Sequence, residues 1–294
     1  RFRALCEKSG FAENFDAVTG AGLRDRAYSW TASSYLLLAS EAEAARGGPP
    51  RVMVVPVQSA GNIPPLSTGM VLAYARAYDG GRLAEAYDLH PRWIADPADA
   101  PSDATRPVVY LFTNYLWSHE RNLECAQQVK AANPLALTIH GGPDCPTYPG
   151  EDETYLRRNP QVDVVVRGEG EAVASEVLAA LAPTIGSGRP DLAALASVPG
   201  VTFRDGDQIV RTGERSRIED VDTIPSPYLT GVFDAFGDTR EVGLAIIETN
   251  RGCPYGCTFC DWGSATNSRI RKFDLERVLA EFTWCAEHAV PKIF

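Results

Sequence analysis

The sequence is poor in basic residues and in long apolar runs. Its 294 residues include 28 Lys and Arg against 38 Asp and Glu, which gives a net charge of -10, and no block of Lys or Arg occurs. This acidic balance argues against electrostatic binding of DNA or RNA. No apolar run approaches the roughly 20 residues of a membrane-spanning helix, and no signal peptide is visible. We therefore expect neither a nucleic-acid partner nor a membrane segment.

Histidine and isolated cysteine are also scarce. The chain has four histidines and seven cysteines, and three of the cysteines share one short stretch. The other four are scattered, at Cys6, Cys125, Cys145 and Cys285. Buried thiols are the default interpretation of scattered cysteines, and this distribution suits a reducing compartment better than a disulfide framework. We therefore expect a cytoplasmic protein.

The three clustered cysteines, Cys253, Cys257 and Cys260, have C-x-x-x-C-x-x-C spacing within residues 249–262, here called the cysteine loop. An apolar run at 244–248 precedes them and predicts a buried strand. Proline and glycine between the cysteines favour a loop rather than a helix. Such a loop can direct three thiolates at one iron–sulfur cluster. Because a [4Fe–4S] cluster usually takes four cysteines, one iron would stay open to a further ligand.

A structural zinc site or a simple thiol pair is the alternative for the cysteine loop. Zinc requires a fourth Cys or His at short spacing. Asp261 is a poor fourth ligand, and the next histidine is His288. The spacing therefore favours the cluster.

Between residues 51 and 185 the sequence alternates between apolar strands and helical segments. The predicted strands are 52–55, 84–89, 108–112, 135–139 and 162–166. This order predicts an α/β, Rossmann-like, doubly wound domain, in which ligands bind beyond the carboxyl ends of the strands. The loops at that edge are 56–67, 113–118, 140–146 and 167–171.

Two of these loops are rich in glycine, Gly141-Gly142 and Gly168-Glu169-Gly170-Glu171. Glycine lets a ligand approach the backbone, and the start of a following helix favours phosphate. Neither loop matches G-x-G-x-x-G, and plain tight turns explain them equally well.

The segments on either side of this domain carry less information. Residues 1–50 predict an N-terminal helical extension, with a helix at 31–46. Residues 186–243 predict a bridge, which contains a β-hairpin at 201–211 with an Asp-Gly turn and a stiff proline-rich linker at 224–228.

Residues 244–294 predict a strand, a helix at 273–288 and the opening of another strand at 291–294. A sheet that ended there would leave an open edge. We therefore expect this segment to be the truncated start of a second domain in a longer protein.

The cysteine loop resembles the signature of the radical S-adenosylmethionine (SAM) enzymes, a C-x-x-x-C-x-aromatic-C loop after the first strand of a partial (β/α) barrel. Cys253, Cys257 and Cys260 match the three cluster ligands, and Phe259 matches the aromatic position. The resemblance implies a [4Fe–4S] cluster whose open iron binds SAM and whose reduced form cleaves it to a 5′-deoxyadenosyl radical. It also implies that residues 244–294 begin the radical SAM barrel.

The order of elements before that loop resembles the cobalamin-binding branch of the same family, over about residues 51–294. The matching elements are an HGGP loop, a VVVRGEGE strand and loop, a hairpin, an IPSPY linker and the cysteine loop. The resemblance implies that residues 51–185 bind cobalamin, with its nucleotide tail at the ligand edge of the sheet. The residues implied on the tail side are Gly141, Gly142, Gly168, Glu169, Gly170 and Glu171, with His140 beside them. Those implied below the corrin ring are Asn114, Tyr115, Trp117 and Ser118.

One feature of methionine-synthase-like cobalamin domains is missing here. Those domains carry D-x-H-x-x-G, whose histidine coordinates cobalt from below, whereas residues 117–122 have neither the Asp nor the Gly at that spacing. His119 is then expected in the first turn of a helix, satisfied or solvated. We therefore expect cobalt without a protein histidine ligand, which should ease methyl transfer from cobalt.

Together the two resemblances imply a cobalamin-dependent radical SAM methyltransferase acting on an unactivated carbon of a small-molecule or peptide substrate. One SAM would methylate Co(I), and another would give the radical that removes a substrate hydrogen. An external electron donor such as a flavodoxin or ferredoxin is also implied. The alternatives are a cyclase or rearrangement enzyme on the same architecture, and a non-catalytic corrinoid carrier whose cysteine loop binds a structural metal.

Overall fold

The structure of the protein is a computed structural model that describes residues 51–57, 63–101, 103–234, 242–255, 257 and 269–294. It also describes the backbone of two short strands, β1 (Asn14–Phe15) and β2 (Gly22–Leu23), which pair antiparallel. The chain divides into two units, Arg1–Pro50 and Arg51–Phe294. The helix predicted at 31–46 lies outside the described residues.

A seven-stranded sheet forms the centre of the second unit. Its strands are β3 (Val52–Val57), β4 (Tyr87–Asp88), β5 (Val108–Thr113), β6 (Leu137–Gly141), β7 (Val164–Val166), β8 (Val201–Asp205) and β9 (Gln208–Arg211), in the order β4-β3-β5-β6-β7-β8-β9. The first five are parallel. Their order, with the second strand at the edge and the third beside the first, is a common doubly wound arrangement. The predicted α/β fold class is confirmed, and all five predicted strands are present.

Helices cover both faces of the parallel strands, which explains why these strands are apolar throughout. These helices are α1 (Leu66–Ala77), α2 (His119–Ala132), α3 (Glu151–Arg158) and α4 (Gly170–Ile185). Helix α5 (Leu275–Glu287) belongs to the segment after residue 242. Because side chains alternate along a strand, Leu111 and Ile139 pack in one cluster with α1 and α4. Phe112 packs with α2 in a second cluster on the opposite face. None of the helices in the described ranges combines the length and apolar character needed to cross a membrane.

The predicted hairpin forms, and Gly206 and Asp207 join β8 to β9 because Asp205 pairs with Gln208. The loop thus lies one residue later than the predicted Asp205-Gly206 turn. Gly206 has a φ of 57°, a left-handed value that glycine adopts readily. β8 also pairs antiparallel with β7, from Val164↔Phe203 to Val166↔Val201. The hairpin that we placed in the bridge therefore extends the α/β sheet, while the domain boundaries themselves stay predictions.

The segment after residue 242 has the strand–helix–strand order that begins a (β/α) barrel. Ala245 and Ile293 form a parallel bridge, and the Ala245 and Ile247 N–H groups donate to the carbonyls of Lys292 and Phe294, both at 2.9 Å. Helix α5 connects the two stretches. Between them, β10 (Asn250–Arg251) pairs antiparallel with β11 (Arg271–Lys272), which brings the two ends of the intervening stretch together.

Candidate cofactor site

A cavity of about 530 Å³ opens at the carboxyl ends of β5, β6 and β7. It lies where a doubly wound sheet is expected to bind its ligand. Its lining includes Thr113, Gly141, Gly142 and residues 168–171, together with Glu248, residues 250–253 and Arg271. Both predicted glycine loops and the start of the cysteine loop therefore border one space.

The sheet side of the cavity is apolar. Leu111, Ile139 and Val166 occupy the strand positions that face α1 and α4, and Val71 of α1 and Ala174 of α4 complete this side. An apolar recess with a few polar groups at its edge is typical of small-molecule and cofactor sites.

Glycine keeps part of this cavity open. A Cβ at Gly141 would lie 3.6 Å from Val166, and one at Gly170 would lie 3.5 Å from Val71, so both positions tolerate a methyl group only by narrowing the cavity. Gly142 has a different role, because it has a φ of 97° and its Cβ would lie 2.7 Å from the Asn114 carbonyl oxygen. The fold itself therefore requires glycine at position 142.

The structure describes two of the three clustered cysteines. Cys253 is half-buried and lines the cavity, and Cys257 is exposed. Cys260 and Phe259 lie outside the described residues. Within the described ranges no group of three potential metal ligands is assembled, so the cluster assignment stays a prediction supported by spacing and by the position of Cys253.

Arg251 connects the cysteine loop to residues 167–171, here called the glutamate loop. Its Nη2 atom lies 2.6 Å from Oε1 of Glu171, and its Nε atom donates to both carboxylate oxygens of Glu248, at 3.1 and 3.0 Å. Burial disfavours the charged guanidinium, but the two carboxylates outweigh it and raise the pKa of Arg251. Burial also raises the pKa of Glu248.

Arg271, on the strand that returns from the cysteine loop, makes an equivalent connection. Its Nη2 and Nη1 atoms lie 2.6 and 3.1 Å from the two carboxylate oxygens of Glu169. Glu169 also accepts the Ile218 N–H at 2.7 Å. Burial alone would raise the pKa of Glu169, but the hydrogen bonds from Arg271 and Ile218 lower it.

The residues predicted to lie below a corrin ring divide into two groups. Asn114 and Ser118 are buried, and their side chains join internal hydrogen bonds, Asn114 with Asn122 at 2.8 Å and Ser118 with the Tyr115 N–H at 3.0 Å. Tyr115 stacks on Trp117, whose side chain is 75% exposed. The described lining of the cavity includes Thr113 but none of these four residues.

Both candidate histidines make contacts within the protein, although Nε2 of His140 has no hydrogen-bond partner among the described residues. His119 begins α2, as predicted, and its ring nitrogens contact Asp144 and Tyr155. His140 borders the cavity by its strand position, but its ring stacks on Phe112 at 4.3 Å between centroids, on the α2 face of the sheet. Its Nδ1 atom lies 3.2 Å from Nδ2 of Asn114.

Sequence reasoning missed three charged residues of the site, Glu248, Arg251 and Arg271. Arg251 lies in the cysteine loop, two residues before Cys253, so its nearness to that cysteine was visible in the sequence. Its partner Glu171 is 80 residues away in the chain, and no local pattern predicts such a pairing.

No protein-family model matches the chain. Over 236 residues it is 41% identical to the cobalamin-dependent radical SAM methyltransferase TokK of Streptomyces tokunonensis, covering 78% of this chain and 33% of that protein. Over 236 residues it is 39% identical, with the same 78% and 33% coverage, to 2-(S-pantetheinyl)-carbapenam-3-carboxylate methyltransferase of Streptantibioticus cattleyicolor. A match at 31% over 204 residues, 68% of this chain and 29% of the relative, is the anaerobic magnesium-protoporphyrin IX monomethyl ester cyclase of Cereibacter sphaeroides. The chain thus spans about a third of the length of these curated relatives.

The fold is similar to a solved structure of the radical SAM methyltransferase TsrM from Kitasatospora setae with cobalamin and a [4Fe–4S] cluster bound. The TM-score is 0.53 at 16% identity, covering 83% of this chain and 47% of that chain. At this identity the likeness bears on the fold alone. The sequence relatives confirm the family resemblance that the cysteine loop and the order of elements predicted.

Proposed function

This chain belongs to the cobalamin-binding radical SAM family, and we propose that it binds cobalamin, a [4Fe–4S] cluster and SAM and acts as a methyltransferase. The acceptor is an unactivated carbon of a small-molecule or peptide substrate. Two relatives are named as methyltransferases, and one is named for a pantetheinyl carbapenam carboxylate. These names support a small natural product as the substrate class.

The observation that carries the proposal is the shared cavity. Cys253 of the cysteine loop borders the same space as Gly141, Gly142 and the glutamate loop. A cluster held by Cys253, Cys257 and Cys260 would therefore face a ligand seated at the sheet edge. Direct transfer between the cluster side and the corrinoid side of the cavity requires this proximity. Structures with both cofactors bound but separated by much more than a substrate's breadth, in every captured state, would refute it.

The residues present fit a corrinoid. The apolar strand side chains, and the absence of side chains at Gly141 and Gly170, suit a flat or apolar group. Glu171 is 4% exposed, and its Oε2 atom has no hydrogen-bond partner among the described residues. A buried acceptor without a partner is costly, and the amide N–H groups at the edge of a corrinoid would satisfy it.

The chemistry would come from the cofactors, because the bound cluster with SAM supplies a hydrogen-abstracting radical and cobalamin supplies the methyl group. The chain's own residues hold and orient these groups. The three cysteines bind the cluster, Arg251 and Arg271 anchor the cysteine loop, and the sheet edge excludes water from the apolar part of the cavity. An external donor such as a flavodoxin or ferredoxin and a cytoplasmic location are part of the same proposal.

The test is anaerobic turnover with SAM that carries a deuterated methyl group, in the presence of candidate substrates or extracts, followed by mass spectrometry. A methyltransferase gives a product that carries the labelled methyl group, together with 5′-deoxyadenosine. The variant with Cys253, Cys257 and Cys260 all replaced by Ala is the matched control and should give neither.

A cyclase or rearrangement enzyme is the second candidate, favoured by the similarity to the magnesium-protoporphyrin ester cyclases. It would form 5′-deoxyadenosine without labelled product. A corrinoid carrier with a structural zinc would form neither, and metal analysis would find zinc in place of about four irons and four sulfides.

A further inference from the structure

Arg251 and Arg271 lie directly opposite each other in the antiparallel pairing of β10 with β11. Like charges at opposite positions of a ladder repel each other. Both side chains are only 12% exposed, so water screens this repulsion weakly. Two buried like charges in register need a compensating partner.

Two of the three carboxylates that pair with these arginines come from one short segment. Arg251 pairs with Glu171, and Arg271 pairs with Glu169, each with a closest approach of 2.6 Å. The two glutamates are separated only by Gly170 in the glutamate loop. The third carboxylate, Glu248, precedes Arg251 by three residues and pairs with it at 3.0 Å. Among the described residues, Arg271 therefore has its carboxylate partner, and Arg251 its second one, only when the glutamate loop lies against the base of the cysteine loop.

Each side of this contact leads to a cofactor-site element. Cys253 follows Arg251 by two residues, and Gly168 and Gly170 flank Glu169 on the opposite side. All of these residues line the same cavity. A change in the position of Arg251 and Arg271 therefore acts on the position of the glutamate loop through the two ion pairs.

We propose that Arg251 and Arg271 are positioning residues that couple the two cofactor sites, so that a loaded cysteine loop raises the affinity of the sheet edge for corrinoid. By thermodynamic linkage, bound corrinoid favours cluster retention by the same factor. This inference rests on the proposed function, since it assumes that both groups bind. It goes beyond that function in assigning the coupling to two ion pairs.

The experiment measures the dissociation constant of hydroxocobalamin by equilibrium dialysis under anaerobic conditions, for cluster-free and reconstituted protein. Wild type should bind hydroxocobalamin about five-fold or more tightly with the cluster than without it, the lower end of typical coupling between linked sites. In Arg271→Gln this ratio of the cluster-free to the reconstituted dissociation constant should fall toward one. The double variant Glu169→Arg with Arg271→Glu reverses the pair and should restore most of the ratio.

The matched control is Arg215→Gln. Arg215 also pairs bidentately with a glutamate of another element, Glu176, but neither residue lines the cavity. Its loss should leave the cobalamin ratio unchanged. If Arg271→Gln fails to fold, Glu169→Gln tests the same pair from the other side.

The outcomes separate this inference from the proposed function. Cobalamin that binds neither form of wild type refutes the proposed function and the coupling together. Cobalamin that binds both forms of wild type equally refutes the coupling alone. A ratio that survives in Arg271→Gln, or one that the reversed pair does not restore, refutes the assignment to these arginines.

Discussion

His119 and Asp144 are joined by a contact of 2.5 Å between Nδ1 and Oδ2. The other ring nitrogen of His119, Nε2, lies 2.9 Å from the hydroxyl of Tyr155. Both nitrogens are thereby engaged, and rotating the ring toward a metal would break both contacts. The missing D-x-H-x-x-G pattern and this geometry agree that His119 is a structural residue.

We therefore expect cobalamin to bind base-off, with no histidine ligand on cobalt. Electron paramagnetic resonance of the Co(II) form would show no three-fold splitting of the cobalt lines, because that splitting requires a nitrogen donor. His119→Ala should leave the spectrum unchanged. A triplet that disappears in His119→Ala or in His140→Ala would show that a histidine binds the metal.

Replacing Cys253, Cys257 and Cys260 with Ala should abolish iron and sulfide binding, because the thiolates of this loop are the predicted ligands. Cys125 provides the matched control. It is 4% exposed, and burial raises its pKa to about 11, so it stays a protonated thiol that does not bind metal. Cys125→Ala should retain full iron and sulfide content. Retention of the cluster in the triple variant would contradict the assignment.

Much of the fold could be predicted from the sequence because it follows from local patterns. The runs at 52–55 and 108–112 are apolar on every residue, as strands covered on both faces must be, and both are present in the sheet. The hairpin was also predictable from its Asp-Gly sequence, although its loop is Gly206-Asp207. Its pairing with β7 was not, since strand partnership depends on contacts distant in the chain.

The candidate site likewise has parts with a local sequence signature and parts that depend on contacts distant in the chain. The glycine loops and the cysteine loop have local signatures, and the structure brings both glycine loops and Cys253 to one cavity. The ion pairs between Arg251 and Glu171 and between Arg271 and Glu169 have no such signature. Sequence also could not show that the His140 ring stacks on Phe112 on the α2 face of the sheet, because the side a residue faces depends on the register of its strand.

Gly141→Ala should weaken cobalamin binding while the protein remains folded. The added Cβ meets Val166 at 3.6 Å, an ordinary contact, but it takes up space at the edge of the cavity. One extra carbon in a tight pocket costs about 10-fold or more in affinity. Equilibrium dialysis measures the effect, and thermal unfolding checks the fold.

The control for this variant is Gly186→Ala. A Cβ added at Gly186 would meet no atom of the described residues within 4 Å, and the φ of this residue is -71°, so alanine fits there without strain. Its cobalamin affinity should equal that of wild type. Unchanged affinity in a folded Gly141→Ala protein would show that the cavity edge does not contact the corrinoid.

Gly142→Ala should instead reduce stability. The residue has a φ of 97°, where alanine is strained, and the new Cβ would lie 2.7 Å from the Asn114 carbonyl. Strain of this kind costs about 1–3 kcal/mol. Urea unfolding should show a midpoint below that of Gly141→Ala, and equal midpoints would contradict this difference between the two glycines.

His140 should make the stability of the protein depend on pH. Its ring is fully buried, and burial lowers its pKa from 6.5 to about 3. As pH falls below 6.5, the unfolded chain takes up a proton at this residue but the folded chain does not. The contribution of the neutral His140 ring to the free energy of unfolding is complete above pH 6.5. It is lost progressively toward pH 3, by at most about 1.4 kcal/mol per pH unit.

The measurement compares urea unfolding of wild type and His140→Gln between about pH 7 and about pH 5, a range that starts above the unfolded pKa of His. Acidic residues titrate in both proteins, so the difference between their free energies of unfolding isolates His140. Wild type should lose more stability than the variant as pH falls. Val129→Ala, which removes buried volume from the same α2 cluster without removing a titrating group, should differ from wild type by a constant amount. If the difference in the free energy of unfolding between wild type and His140→Gln also stays constant with pH, the prediction is wrong. His140 then takes up its proton in the folded protein as readily as in the unfolded chain.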